Sequence, residues 1–252
     1  MGLMGYRSRM LLSRAVNIVR PKPRMIAFTV DDLLASSASK DVIDRFSDLL
    51  YSSGVMGTLD WRGVPVVKNP FDLWTTIELL QELRPIAVVE TGTHLGGSAL
   101  FYADMAKVLG VPTRVITVDH NPKWNIDPGD AGIVSIVGIS TTPKVIAAVT
   151  DAVADARSAL GEGHVLVFLD SDHSEENVLA ELHLYAPMVS IGSYLVVEDT
   201  NINGHPSAPG YGPGPWEAVQ AFLAGDDRFE VDRERERFLV SFNPGGWLKR
   251  IR

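Results

Sequence analysis

Two pairs of acids hold the clearest chemical potential in this sequence: Asp170 and Asp172 in "FLDSDH", and Glu198 and Asp199 in "LVVEDT". Each pair ends an apolar, β-branched run, and the interval from Asp170 to Asp199 is that of one helix plus one strand. Such spacing brings the ends of adjacent strands together, so three or four carboxylates are expected to converge with no Lys or Arg nearby. A group of that kind repels itself unless a cation sits within it. Oxygen-only ligation suits Mg²⁺ far better than zinc. One of the acids is expected instead to introduce the following helix, a task open to Asp172 or His173, and either Asp170 or Asp172 has the reach to be a ligand. His173 is the candidate general base, because an imidazole beside a metal-held hydroxyl can take its proton near neutral pH.

A second constellation lies upstream, in "VVETGTHLGGSALF". A β-branched run stops at Glu90, a turn rich in Gly and Thr follows, and an apolar helical pattern begins after Ser98. Glycines at 92, 96 and 97 do not match the G-x-G-x-x-G of a pyrophosphate-binding turn. They permit a sharp turn and close approach of a ligand to the backbone, and a helix N-terminus offers free N–H groups. Asp119 closes the next strand, where an acid accepts hydrogen bonds from ribose hydroxyls. With Gly138 and Ser140 ending the third strand, these residues imply a nucleoside-containing ligand. His94, inside the glycine turn, is expected to line the nucleoside site.

These residues need a frame that places strand ends side by side. Strand patterns occur at 86–90, 114–119, 133–137, 164–170 and 193–198, with helical patterns at 97–109, 142–160 and 174–185 between them. Strands that are apolar throughout, separated by helices, imply a parallel sheet covered on both faces. Ligands of such sheets collect at the carboxyl ends of the strands. Upstream, 31–52 places Leu34, Ile43, Phe46 and Leu50 near one helical face with Gly54 as its stop, and "DLWTTIELLQELRP" is a helix ended by Pro85. Near the end, a helix opens at Pro215, and "RFEVDRERERFLVSF" reads as two strands flanking a charged turn. The last strand is therefore expected to run antiparallel to its neighbour. Residues 1–70 read as a helical extension, serving oligomerisation or substrate cover, on one α/β domain over 71–252.

Composition excludes several function classes. A net charge of −8 argues against wide contact with a nucleic-acid backbone. With no cysteine there is neither a disulfide framework nor a thiolate zinc site, which fits a cytoplasmic protein. Residues 1–24 carry six Lys/Arg and no acid, but Arg14 interrupts their apolar stretch and no small-residue cleavage site follows. They read as a basic amphipathic arm packed on its own domain or on a second subunit, and no run is long enough to span a bilayer. A homodimer or higher homo-oligomer is expected. The segment "NINGHPSAPGYGPGP", with four glycines and four prolines, reads as a mobile substrate lid containing His205 and Tyr211.

Taken together, "ETGTHLGGSAL", an acid closing the next strand, "FLDSDH", "LVVEDT" and the closing hairpin resemble the class I S-adenosylmethionine-dependent methyltransferases. Within that class, "GVPVVKNPFDLW" and "NPGGWLKR" resemble the cephalosporin hydroxylase family, which includes rhamnosyl O-methyltransferases. The resemblance covers about 57–250. It implies a Rossmann-like, seven-stranded, mostly parallel sheet with an antiparallel last strand. It also implies S-adenosylmethionine and Mg²⁺ as cofactors. Glu90, Gly92 and Thr93 would then approach the methionine part, Asp119 the ribose, and Gly138–Ser140 the adenine, with His94, Gly96, Ser98 and Asp170 also at the cofactor. Mg²⁺ would be held by Asp170 or Asp172 with Glu198 and Asp199, and Thr200 stands where catechol-type relatives use an amide ligand. The implied activity is O-methylation of a small molecule, in particular a sugar of a glycosylated natural product. Two other readings are a component of a two-protein β-lactam methoxylation system and a non-catalytic nucleoside-binding partner. The chain shows no 2-His-1-carboxylate pattern for hydroxylation chemistry, and an intact acidic cluster argues against a degenerate module.

Overall fold

The computed structural model describes residues 36–124, 127–129 and 131–252. The basic arm at 1–24 and Leu34 lie outside the described residues. The first described helix, α1 (Ser37–Ser52), begins where the Ser36 side chain accepts from the backbone of Ser39, and Gly54 follows in the left-handed region. Its Ile43 and Leu50 are half-buried, but Phe46 remains 49% exposed. A two-stranded ribbon, β1 (Asp60–Trp61) and β2 (Val64–Pro65), leads into α2 (Pro70–Leu83). Here Asn69 caps the helix by accepting from Phe71 N at 3.0 Å, with Pro70 in the first turn, where its missing N–H is no loss.

The main body alternates strand and helix: β3 (Ala87–Thr91), α3 (Gly97–Val108), β4 (Arg114–Asp119), β5 (Ile133–Val137), α4 (Pro143–Leu160), β6 (Val165–Leu169), α5 (Glu175–Tyr185) and β7 (Tyr194–Val197). It closes with α6 (Pro215–Gly225), β8 (Phe229–Val231) and β9 (Trp247–Arg250). The seven-stranded sheet has the order β5-β4-β3-β6-β7-β9-β8. Strands β3 to β7 pair in parallel, and β9 runs antiparallel to both β7 and β8. This is the expected fold class. The chain steps outward from β3 to β5 and returns to place β6 beside β3, so the order reverses at the β3–β6 boundary, where a crevice opens.

Both faces of the sheet are apolar, which is why its strands read as continuous hydrophobic runs. In β6, Val165, Val167 and Leu169 pack with α4, α5 and α6, while Leu166 and Phe168 face α2 and α3. Burial of each such side chain contributes about 1.5–3 kcal/mol. That stabilisation offsets the cost of holding several acids at the strand ends.

One expected element differs. The run at 237–242 is not a strand, and β8 pairs instead with Trp247–Arg250. The acidic and basic residues of the supposed turn form a 3-10 helix at Arg233–Glu236. Beyond it the apolar residues pack on the N-terminal helices: Phe238 stacks on Phe71 at 5.9 Å, and Phe242 meets Tyr51 edge-on at 5.1 Å. Asp72 completes the anchor by accepting from Phe242 N at 2.8 Å. The connection between the two strands is thus a long loop laid over α2, ending beside the carboxyl end of β7.

Candidate active site

The carboxyl ends of β3, β4, β5 and β6 open into one cleft of about 810 Å³. Asp119, His94 and the Gly138–Ser140 turn line one end, and Asp170, His173, Asp199 and Tyr211 line the other. The two constellations read from the sequence are therefore two ends of a single cavity.

At the first end, the glycines are required by the protein itself more than by a ligand. Gly92 sits at φ +87°, and a Cβ there would fall 1.8 Å from the carbonyl oxygen of Asp170. At Gly96 a Cβ would strike the Trp124 ring at 2.2 Å, and at Gly97 the carbonyl oxygen of Pro65 at 2.0 Å. The irregular glycine spacing, expected to admit a ligand to the backbone, thus lets the turn press against three neighbouring segments. Asp119 is fixed by accepting from His94 N at 2.9 Å and Asn121 N at 2.7 Å. Ser140 is buried, and its carbonyl accepts from the Tyr185 hydroxyl at 2.9 Å.

Glu90 lies beneath this floor, fully buried. Its Oε2 accepts from the Thr117 hydroxyl at 2.8 Å, and because Thr117 has a single proton, Thr93 must donate to Thr117 across 2.7 Å. Desolvation pushes the Glu90 carboxyl up to about 7, against the pull of nearby Lys68. Among the described residues its Oε1 makes no hydrogen bond, although the neighbouring Ser98 hydroxyl helps to hold the carboxyl down. An unpaired buried acceptor costs about 1–3 kcal/mol. Ser98 is also buried and borders a small recess beside Thr93, Gly97 and Lys68.

At the other end, Asp170, His173 and Asp199 each offer an atom, and these atoms lie within 4.8 Å of one another. His173 Nε2 is 3.2 Å from Asp199 Oδ2 and 3.9 Å from Asp170 Oδ1. Burial raises the Asp199 carboxyl, with His173 acting in the opposite direction. Asp199 carries φ +54°, uncommon for a residue with a Cβ, and its N–H donates to Asn243 Oδ1 at 3.1 Å. The long loop before β9 therefore braces this acid. The two carboxylates at the rim of a cleft fit a hard divalent cation, and the imidazole stands beside them.

The remaining acids are placed differently. Asp172 introduces α5, its Oδ1 accepting from Ser174 N at 2.8 Å, and these hydrogen bonds hold its pKa below the usual value. Glu198 is buried against a lysine. Lys68 Nζ lies 2.5 Å from Glu198 Oε2 and 2.5 Å from Asp170 Oδ2. The expectation of acids converging without a basic residue is thus corrected: a cation of the protein's own stands among them. Thr200, whose Oγ1 donates to the carbonyl of Pro244 at 2.8 Å, is fully buried and turned away.

The segment at 201–214, expected to be a mobile lid, is tied down by hydrogen bonds of its own. Glu217 accepts from Asn203 Nδ2 at 2.9 Å and Gly214 N at 2.8 Å, and it meets His205 Nε2 at 3.0 Å. His205 also stacks on Trp216 at 4.7 Å, so it braces the segment, and Tyr211 alone of the two reaches the cleft. Three residues without an expected role stand by the acids: Lys68 and Asn243, both inside the quoted motifs, and Tyr51. Burial drives the Tyr51 hydroxyl up to about 12, reinforced by Asp199, Tyr211 and Asp170.

The rhamnosyl O-methyltransferase/CmcI family model matches residues 53–251. The chain belongs to this family. It is an S-adenosylmethionine-dependent O-methyltransferase, as its motifs imply. The rhamnosyl O-methyltransferase of Mycobacterium leprae (strain TN) is 37% identical over 216 residues, covering 83% of this chain and 90% of that protein. The rhamnosyl O-methyltransferase of Mycobacterium tuberculosis (strain ATCC 25618 / H37Rv) is 34% identical over 256 residues, covering 99% of this chain and all of that one. Among solved structures, "cmcI-N160 SAH" superposes with a TM-score of 0.58 at 20% identity over 77% of this chain and 83% of that chain. For "cmcI-D160 Mg-SAM" the TM-score is 0.56 at 22% identity over 78% of each. These two likenesses establish the shared fold.

Proposed function

We propose that the enzyme methylates a hydroxyl of a sugar, a deoxysugar of a glycosylated natural product, using S-adenosylmethionine and Mg²⁺. The observation that supports this best is the continuity of the cleft, with nucleoside-type groups at one end and the Asp170–His173–Asp199 group at the other. The names of the mycobacterial relatives support a sugar acceptor.

S-adenosylmethionine brings an already activated methyl group, and Mg²⁺ brings positive charge that favours an ionised acceptor oxygen. What remains for the chain is to bind, align and move one proton. Asp119 takes the ribose, Gly138–Ser140 flanks the adenine, and Glu90 with Gly92, Thr93 and Ser98 faces the methionine part. The unpartnered Oε1 of Glu90 suits the ammonium of that tail. Asp170 and Asp199 hold the cation, and the His173 imidazole beside them accepts the proton of the acceptor hydroxyl. Tyr211 borders the acceptor, and Tyr51, within the influence of Asp199 and Asp170, supports a role as cover on the 71–252 domain for the described part of the extension, 36–70. An exposed apolar row on α1, with Val42 at 66%, Phe46 at 49% and Leu49 at 67%, supports a homo-oligomer. Among the described residues no helix is long and apolar enough to cross a membrane.

Calorimetry with S-adenosylmethionine, followed by turnover of a panel of deoxysugar glycosides with and without EDTA, tests this reading. Binding of the cofactor and EDTA-sensitive methylation of a sugar are expected. Absence of cofactor binding would overturn it, and turnover that survives both EDTA and Asp199→Ala would remove the metal.

A further inference from the structure

The segment "GVPVVKNPFDLW" matches the family but takes no part in the chemistry above. Its structure explains its presence. Val66 N donates to Leu59 O at 2.9 Å, the Pro65 carbonyl packs where Gly97 has no Cβ, and Asn69 caps α2. Between these fixed points Lys68 extends inward, its side chain only 5% exposed. The ammonium spans the half-buried carboxylate of Asp170 and the buried one of Glu198.

The division of the Asp170 carboxylate is informative. Oδ2 meets Lys68, while Oδ1 faces His173 and, through it, Asp199. One carboxylate thus joins an internal cation site, filled by Lys68, to the rim site at Asp170, His173 and Asp199. Buried acids without a counter-charge would cost several kcal/mol each. With Lys68 in place, the protein carries these acids whether or not a metal ion is bound. The same positive charge opposes a second cation next to it.

We propose that Lys68 is a positioning residue that acts as a built-in counter-cation, stabilising the metal-free enzyme and lowering the affinity of the neighbouring rim site for its divalent cation. The inference rests on the assignment of Mg²⁺ to Asp170 and Asp199. It makes the metal exchangeable by design: charge that would otherwise grip Mg²⁺ is already half neutralised.

The test is Mg²⁺ titration by calorimetry, with thermal melts in EDTA and in saturating Mg²⁺, on wild type, Lys68→Met, Lys68→Arg and Asp199→Ala. Lys68→Met is expected to bind Mg²⁺ about tenfold more tightly, since one opposing unit charge is gone. It should melt lower than wild type in EDTA and recover most of that loss in Mg²⁺. Lys68→Arg, which keeps the charge, should stay near wild type in both respects. Should Lys68→Met not fold, Lys68→Gln is expected to show the same two effects. Affinity that is unchanged or weaker in the neutral variants would overturn the proposal, because a lysine that merely fills space leaves Mg²⁺ binding alone. Wild-type binding indifferent to Asp199→Ala would instead overturn the metal assignment beneath it.

Discussion

The imidazole Nε2 of His173 stands 3.2 Å from Asp199 Oδ2 at the rim of the cleft. An imidazole so placed is oriented by the acids and faces any hydroxyl bound beside them. General-base catalysis typically contributes about 10²–10⁴-fold. His173→Ala is expected to lower kcat by that order at neutral pH while leaving S-adenosylmethionine affinity unchanged. The variant's rate should climb with pH as the acceptor hydroxyl ionises by itself. A pH–rate profile measured on both enzymes checks this. A wild-type rate at pH 7 would remove the base, and loss of Mg²⁺ binding would make His173 a ligand.

Asn243 offers a test of how the metal acid is aimed. Asp199 sits at φ +54°, a conformation costing on the order of 1 kcal/mol for a residue with a Cβ, and Asn243 holds its N–H. Asn243→Ala removes that brace without touching a carboxylate. We expect Mg²⁺ to bind about 5–10-fold more weakly, corresponding to a lost hydrogen bond of about 1 kcal/mol. The Mg²⁺ concentration giving half-maximal turnover should rise, with kcat at saturation nearly kept. Equal Mg²⁺ dependence in the two enzymes would mean that the left-handed turn stands without Asn243.

Glu90 separates binding from stability. Its Oε1 is unpartnered, and the carboxyl is pushed up to about 7 by burial. Glu90→Gln removes a group that is costly to ionise, so the cofactor-free protein should melt higher at pH 8. It also removes the counter-charge for the cofactor's ammonium, whose hydrogen bond to a charged partner is worth about 1.5–3 kcal/mol. S-adenosylmethionine should then bind about 10–100-fold more weakly by calorimetry. A variant that is more stable and binds as well as wild type would place the ammonium elsewhere.

The strands and their acids were legible because both are local. Apolar runs at 86–90 or 164–170 announce buried parallel strands, and an acid at the end of such a run is conspicuous. Lys68 was not legible, since it meets Asp170 and Glu198 across 102 and 130 residues and its segment has no periodicity. Asn243 is of the same kind, joined to Asp199 by a hydrogen bond across 44 residues. The run at 237–242 misled for a related reason. Its aromatic residues have strand-like spacing, yet they are used against Phe71 and Tyr51, where packing outweighs local preference. The glycines of the β3–α3 turn were legible in position but not in purpose, because the atoms that each of them meets, the carbonyls of Asp170 and Pro65 and the Trp124 ring, come from other segments.

Asp72 makes stability depend on pH. It is buried, accepts from Phe242 N, and faces Asp199 and Glu236 across the loop that it anchors. Burial, with those two acids adding to it, raises its carboxyl from 3.8 to about 7. Between these values the folded chain keeps a proton that the unfolded chain has released. The contribution is therefore complete below about pH 4 and is lost as pH rises through 7, to the extent of roughly 4 kcal/mol. Glu90 acts with the same sign. Asp72→Asn keeps an acceptor for Phe242 N but has no proton to lose, so its stability should fall much less between pH 5 and pH 8. Urea denaturation of the metal-free enzymes across that range measures the difference. A slope in Asp72→Asn as steep as that of wild type would show that Asp72 is ionised throughout, and that its anchor to the loop is an ion held at full desolvation cost.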